Sequence, residues 1–138
     1  MNVLEWKHEY SVGNQKIDMQ HKELFTIVNN FINYTNDDIS GADKEFLRSL
    51  LEPAVRFIRK HFETEETILS KTEYQDLDKH THEHQSFLAA LTEKINEIIE
   101  KKEGCSINTL LSFVKEWYLN HLLTLDKPAE EFFRKKHP

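Results

Sequence analysis

Five histidines in this chain continue the apolar stripes of four separate helical segments, and that restricts the fold more than any other feature. Residues three or four apart share one face of a helix. His21 precedes Leu24 and Phe25 at that spacing. His61 follows Phe57 and Ile58, and Glu65 lies one turn further on. His80 follows Leu77, His84 follows His80, and Phe87 follows His84. His121 follows Trp117 and precedes Leu125. A single inward histidine reads as a core residue with a hydrogen-bond partner. Five of them with a glutamate do not, because each unpartnered polar group in an apolar interior costs a few kcal/mol. Imidazole and carboxylate are metal ligands, and convergence on a common metal removes that cost.

The chain has only three glycines and three prolines in 138 residues, so breaks are few and helices long. Residues 1–17 read as an irregular arm with a turn at Ser11-Val12-Gly13-Asn14, and Asp18 as the N-cap of a first helix over about 19–36. Asn36-Asp37-Asp38 and Ser40-Gly41 break the chain before a second helix over about 42–70, in which Pro53 should introduce a kink. A loop over 71–76 leads to a third helix over about 77–102, which Gly104 stops. Ser106 caps a fourth over about 107–125, and a short C-terminal helix over about 128–136 starts at Pro128. The expectation is one all-α domain, an up-down-up-down four-helix bundle. Period-2 alternation, the mark of a β alternative, is missing.

A net charge of −6 argues against nucleic acid or an anionic membrane as the main partner. No segment approaches the ~18 apolar residues of a membrane span. The N-terminal stretch lacks a signal-peptide core, and a lone cysteine, Cys105, permits no internal disulfide. Cytoplasm is the expected location. His8, His82 and His137 read as surface residues; His82 lies two residues from both His80 and His84 and so faces away from them.

Asp126 is the less obvious acidic candidate. Five residues after His121, it lies about 140° round a regular helix. It reaches the same site only if the helix loosens or ends, and Pro128 gives a reason by disfavouring helical geometry at Lys127. Seven ligands exceed one tetrahedral zinc site, five imidazoles do not suit calcium or magnesium, and the absence of cysteine ligands argues against an iron–sulfur cluster. A dinuclear site with bridging carboxylates fits; the donor set alone leaves zinc, manganese and cobalt open.

The ordered set His21, His61-x-x-x-Glu65, His80-x-x-x-His84 and His121-x-x-x-x-Asp126 resembles the hemerythrin family, and most closely its bacterial single-domain members. The stretch from Trp6 through Tyr10-Ser11-Val12-Gly13 to Ile17-Asp18 and Gln20-His21 is similar to theirs, as are His61-Phe62, Glu65-Glu66 and Trp117 before His121. The resemblance implies a non-haem pair of iron ions, cycling between Fe2+ and Fe3+ with an oxo or hydroxo bridge. One iron would take His80, His84 and His121; the other would take His21 and His61 and keep an open position for O2. Glu65 and Asp126 would bridge them. Phe25, Phe62 and Trp117 are candidate walls of an apolar oxygen pocket. Tyr118 stands where the family usually has leucine, three residues before His121. It either donates its phenol to bound oxygen or narrows the entry, or else points to the bundle edge with its hydroxyl in water. Gln75 and Pro53 also depart from the family pattern, away from the ligands.

The function this implies is reversible oxygen binding, as a carrier, store or delivery module, and not catalysis. An unidentified reductant or oxygen-accepting partner goes with it. The alternatives are an oxygen or redox sensor, and a di-iron oxidase or nitric-oxide-handling protein. Ferritin-like enzymes use Glu-x-x-His on two helices; the only such pair here is Glu5 to His8 in the arm.

Overall fold

A computed structural model describes residues 2–34, 43–101, 104 and 106–136. Four long helices, α1 (Gln15–Tyr34), α2 (Lys44–Ser70), α3 (Leu77–Ile99) and α4 (Ile107–His121), form an all-α bundle. A π-helical turn, Leu122–Asp126, joins α4 directly to α5 (Lys127–Lys136). Helix α1 packs on α2 and α4, and α3 packs on the same two helices. His21 and His80 sit near the starts of α1 and α3, whereas His61 and His121 sit toward the ends of α2 and α4. Because all four meet in one layer, successive helices must run in opposite directions. Away from that layer the interior is filled by Val28 and Ile32 of α1, Leu47, Leu51 and Ile58 of α2, Leu91 and Ile98 of α3, and Leu110, Leu111 and Val114 of α4.

The helix ends show which local signals won. Asn14, not Asp18, caps α1: its side-chain oxygen accepts from Ile17 N–H at 3.1 Å and its carbonyl from Asp18 N–H at 2.8 Å. Asp18 lies inside the first turn and ties down the arm, accepting from Ser11 Oγ at 2.6 Å and Val12 N–H at 2.9 Å. Asp43 caps α2 and Ser106 caps α4, each accepting from the backbone N–H three residues on. Helix α2 continues through Pro53. Helix α3 ends before Gly104 is reached, because Lys101 takes a left-handed conformation (φ +55°) and donates to Ile98. The expected break over 36–41, Cys105 and His137 lie outside the described residues.

The arm is fastened to the bundle. Leu4 exchanges two hydrogen bonds with the Asn29 side chain, at 2.7 and 2.9 Å, and Val12 and Ile17 are fully buried. Gly13 takes a left-handed conformation (φ +80°) that favours glycine, and the Arg134 guanidinium packs over it, 2.6 Å from where a Cβ would lie.

Candidate metal centre

The five histidines and two carboxylates meet in one buried cluster, each no more than 2% exposed. They form two abutting groups, Glu65, His80, His84, His121, Asp126 and His21, His61, Glu65, Asp126, which share both carboxylates. Each carboxylate divides its oxygens between the groups. Glu65 turns Oε1 to Nε2 of His21 (3.1 Å) and His61, and Oε2 to Nε2 of His80 (3.3 Å) and His84 (3.7 Å). Asp126 turns Oδ2 to Nε2 of His21 (3.4 Å), and Oδ1 to Nε2 of His80 (2.9 Å) and His121 (3.0 Å).

Asp126 arrives by the loosening that its spacing demanded. The Lys127 N–H bonds to the Leu122 carbonyl, five residues back, which widens the turn. The chain does not end there, and Lys127 keeps helical angles (φ −62°, ψ −49°), against the expectation from Pro128. The proline acts through its missing N–H: Thr124 has no donor four residues on, and the wider turn accommodates the ring.

Ring nitrogens turned away from the cluster carry two further partners. His61 Nδ1–H donates to Gln20 Oε1 at 2.7 Å, and His84 Nδ1–H to Glu66 Oε2 at 3.1 Å. These bonds fix the tautomers that leave Nε2 free for a cation. Gln20 and Glu66 stand out in the sequence only as neighbours of ligand candidates, because each partner belongs to another helix.

The electrostatics are those of imidazoles and carboxylates buried side by side. Burial alone would lower the His21 and His80 pKa values, but Asp126 and Glu65 outweigh it and raise them to about 9 and about 10. Burial pushes His84 down to about 3; Glu65 opposes this, while the charges of His80 and His121 add to it. Burial and the Asp126 charge press Glu65 upward, yet His61 and His21 hold it below the usual carboxylate range. Burial likewise works against ionised Asp126, and His121, His21 and His80 hold it well below that range. His61 Nε2 and both Asp126 oxygens have no hydrogen-bond partner despite their close neighbours. Each such orphan costs about 1–3 kcal/mol. Cations at the two foci would satisfy all of them, so the residues fit a dinuclear metal centre.

The pocket candidates divide between the two groups. Phe25 and Tyr118 lie beside His21: the Tyr118 ring meets His21 edge-on at 5.7 Å and Phe25 at 6.1 Å. Phe62 and half-buried Trp117 stack instead on the three-histidine group, on His84 at 3.8 Å and on His121 at 4.4 Å. Tyr118 is 2% exposed and its hydroxyl has no partner, so the arrangement with the hydroxyl in water does not hold. Burial, followed by the charges of Asp126 and Glu65, raises the Tyr118 pKa well above 10. His8 and His82 are exposed.

Fold and cluster together define a four-helix metal-binding bundle with a two-ion site. Residues 12–127 match the Hemerythrin HHE cation binding domain. The chain is 27% identical over 122 residues to a bacteriohemerythrin of Clostridium acetobutylicum, covering 88% of this chain and 95% of that one. It is 28% identical to a myohemerythrin of Theromyzon tessulatum (88% and 87% covered) and 25% identical to a hemerythrin-like protein of Naegleria gruberi (85% and 82%). The chain belongs to the hemerythrin family. Its cofactor is accordingly a di-iron centre and its ligand O2. No helix among the described residues is long and apolar enough to cross a membrane.

Proposed function

We propose that this protein is a cytoplasmic oxygen carrier, store or delivery module, binding O2 reversibly at two irons held by His21, His61, Glu65, His80, His84, His121 and Asp126, and that it is not an enzyme. The observation that carries the reading is the division of the Glu65 and Asp126 oxygens. Three imidazoles face one pair of these oxygens and two face the other. With both carboxylates shared, the His21/His61 side has one donor fewer, and that is where a diatomic ligand fits. The iron pair, when bound, supplies the reversible electron transfer to oxygen that side chains cannot.

The protein's own groups set the conditions. Phe25 is packed against Trp6, Tyr10 and Tyr118, an aromatic wall that excludes water and anions beside His21. Phe62 and Trp117 fix the imidazole planes of His84 and His121 by stacking. The unpartnered Tyr118 hydroxyl is a donor available to a ligand on the two-histidine side. Tyr118→Leu should speed oxygen release and change the autoxidation rate; stopped-flow traces identical to the unaltered protein would remove Tyr118 from the site.

The deciding experiment is the optical spectrum of iron-loaded, anaerobically reduced protein as oxygen is admitted and withdrawn. Charge-transfer bands that grow and then vanish on deoxygenation are the expected result. Direct passage to a stable diferric spectrum would overturn the carrier reading in favour of redox sensing or oxidase chemistry.

A further inference from the structure

Glu130 is the buried group that the seven ligand candidates leave unexplained. It lies on α5, four residues after Asp126, so both project from neighbouring positions on one face. It is 1% exposed, and neither of its carboxylate oxygens has a hydrogen-bond partner. Helix α5 packs against α2 and the π turn. The charges acting on Glu130 come from the centre: Glu65 of α2, Asp126 of the π turn, His21 of α1 and His80 of α3. Burial first, then Glu65 and Asp126, push its pKa up to about 7. Among side chains alone this is a misplaced group, since an ionised carboxylate there faces two others. Bound cations reverse the sign of that field. Two divalent ions bring four positive charges, and Glu65 and Asp126 offset only two of them, because coordinated imidazoles are neutral. Glu130 is absent from both ligand groups, so it acts from outside direct coordination.

We propose that Glu130 is a third carboxylate of the metal centre, a positioning residue whose negative charge compensates the bound cations and favours their higher-charged state. The proposal rests on the seven-residue metal centre, and its charge compensation requires neither iron nor oxygen. A negative charge held close by strengthens binding of any divalent ion and lowers the reduction potential of a redox-active pair. The effect on a redox-active pair is a bias toward its more oxidised form.

The test uses the full chain, with Zn2+ as probe in competition with a chromophoric chelator at pH 8. Glu130→Gln keeps the shape and removes the charge; Glu130→Leu removes every polar atom and serves if the glutamine variant fails to fold. Both should weaken Zn2+ binding about 10–100-fold. Glu130→Asp, which keeps the charge, should lie closer to the unaltered chain than to the glutamine variant. With iron loaded, the neutral variants should show a raised midpoint potential, about 59 mV for each tenfold loss of preference for the ferric ion in a one-electron step. Unchanged Zn2+ affinity in the neutral variants, or an aspartate variant as weak as glutamine, overturns the proposal. Zinc senses no oxygen, so failure of the carrier reading would show in the optical experiment and leave this result standing.

Discussion

Filling the metal centre should release about two protons near pH 8, and their source is specific. A histidine must be neutral to coordinate, and a carboxylate ionised. In the metal-free protein His84 is neutral already, with a pKa near 3, and Glu65 and Asp126 are ionised already. His21 and His80, raised to about 9 and about 10, carry protons at pH 8 and must give them up. Expulsion of two protons makes the overall binding constant rise about a hundredfold per pH unit up to pH 9. Between pH 9 and 10 only His80 still contributes, and the slope falls to about tenfold per unit. Zn2+ added to lightly buffered protein with a pH indicator gives the proton count directly. Calorimetry in two buffers of different ionisation enthalpy gives it independently. A bound water that ionises can only add to the count. Release of less than one proton per filled centre at pH 8 would therefore refute the placement of Asp126 and Glu65 against His21 and His80.

The same groups set the metal-free stability. His21 and His80 have folded pKa values above the usual 6.5, so their contribution is complete below that pH and is lost as pH rises through 9 and 10. Glu65 and Asp126 are depressed, so theirs is present above 4.5 and 3.8 and is lost as pH falls. Urea midpoints of metal-free protein should peak near pH 5–6 and decline to pH 10, and a flat or rising profile from 7 to 10 would contradict this. Phe62→Ala should cost about 3–5 kcal/mol from lost burial and the cavity left behind. It also frees the His84 ring that Phe62 stacks on, so a loss under ~1 kcal/mol by urea unfolding would mean that the stack is incidental. Pro128→Ala restores the N–H that lets an ordinary helical turn form; it should stabilise metal-free protein yet weaken Zn2+ binding by pulling Asp126 out of line. Greater stability with unchanged affinity would show that the carboxylate's own contacts, not the proline, hold the π turn.

The bundle was legible because its signals are local. Apolar spacing, scarce glycine and proline, and the caps at Asp43 and Ser106 all lie within a few residues of the structure they specify. The inward positions of the five histidines were legible for the same reason, as each continues a stripe on its own helix. Asp126 could be narrowed to a loosened or ended helix, but spacing cannot choose between a π turn and a stop; backbone continuity into α5 decided it. Asp18 has a cap's residue type but its side chain serves the arm, seven residues back through Ser11, while Asn14 takes the helix end. Gln20 and Glu66 support histidines on other helices, and no periodicity reports a pairing of that kind. Glu130 did leave a signal, the four-residue step from Asp126, but a glutamate at that spacing is ordinary on a charged helix until its burial is known.

Stability and metal binding pull in opposite directions at this centre. The cluster buries two carboxylates among five imidazoles and adds Glu130, whose oxygens find no protein partner. Unpartnered polar groups of this kind lower the stability of a bundle whose apolar layers would pack well without them. Replacing Glu130 by leucine should therefore stabilise the metal-free fold above pH 7, by up to about 3 kcal/mol from the rise of its pKa from 4.5 to about 7. The same change should weaken the metal-loaded protein's hold on its cations. A group that harms the empty protein and helps the filled one has its energetic justification in the filled state alone. That opposition separates a carboxylate that belongs to the centre from one that happens to lie near it.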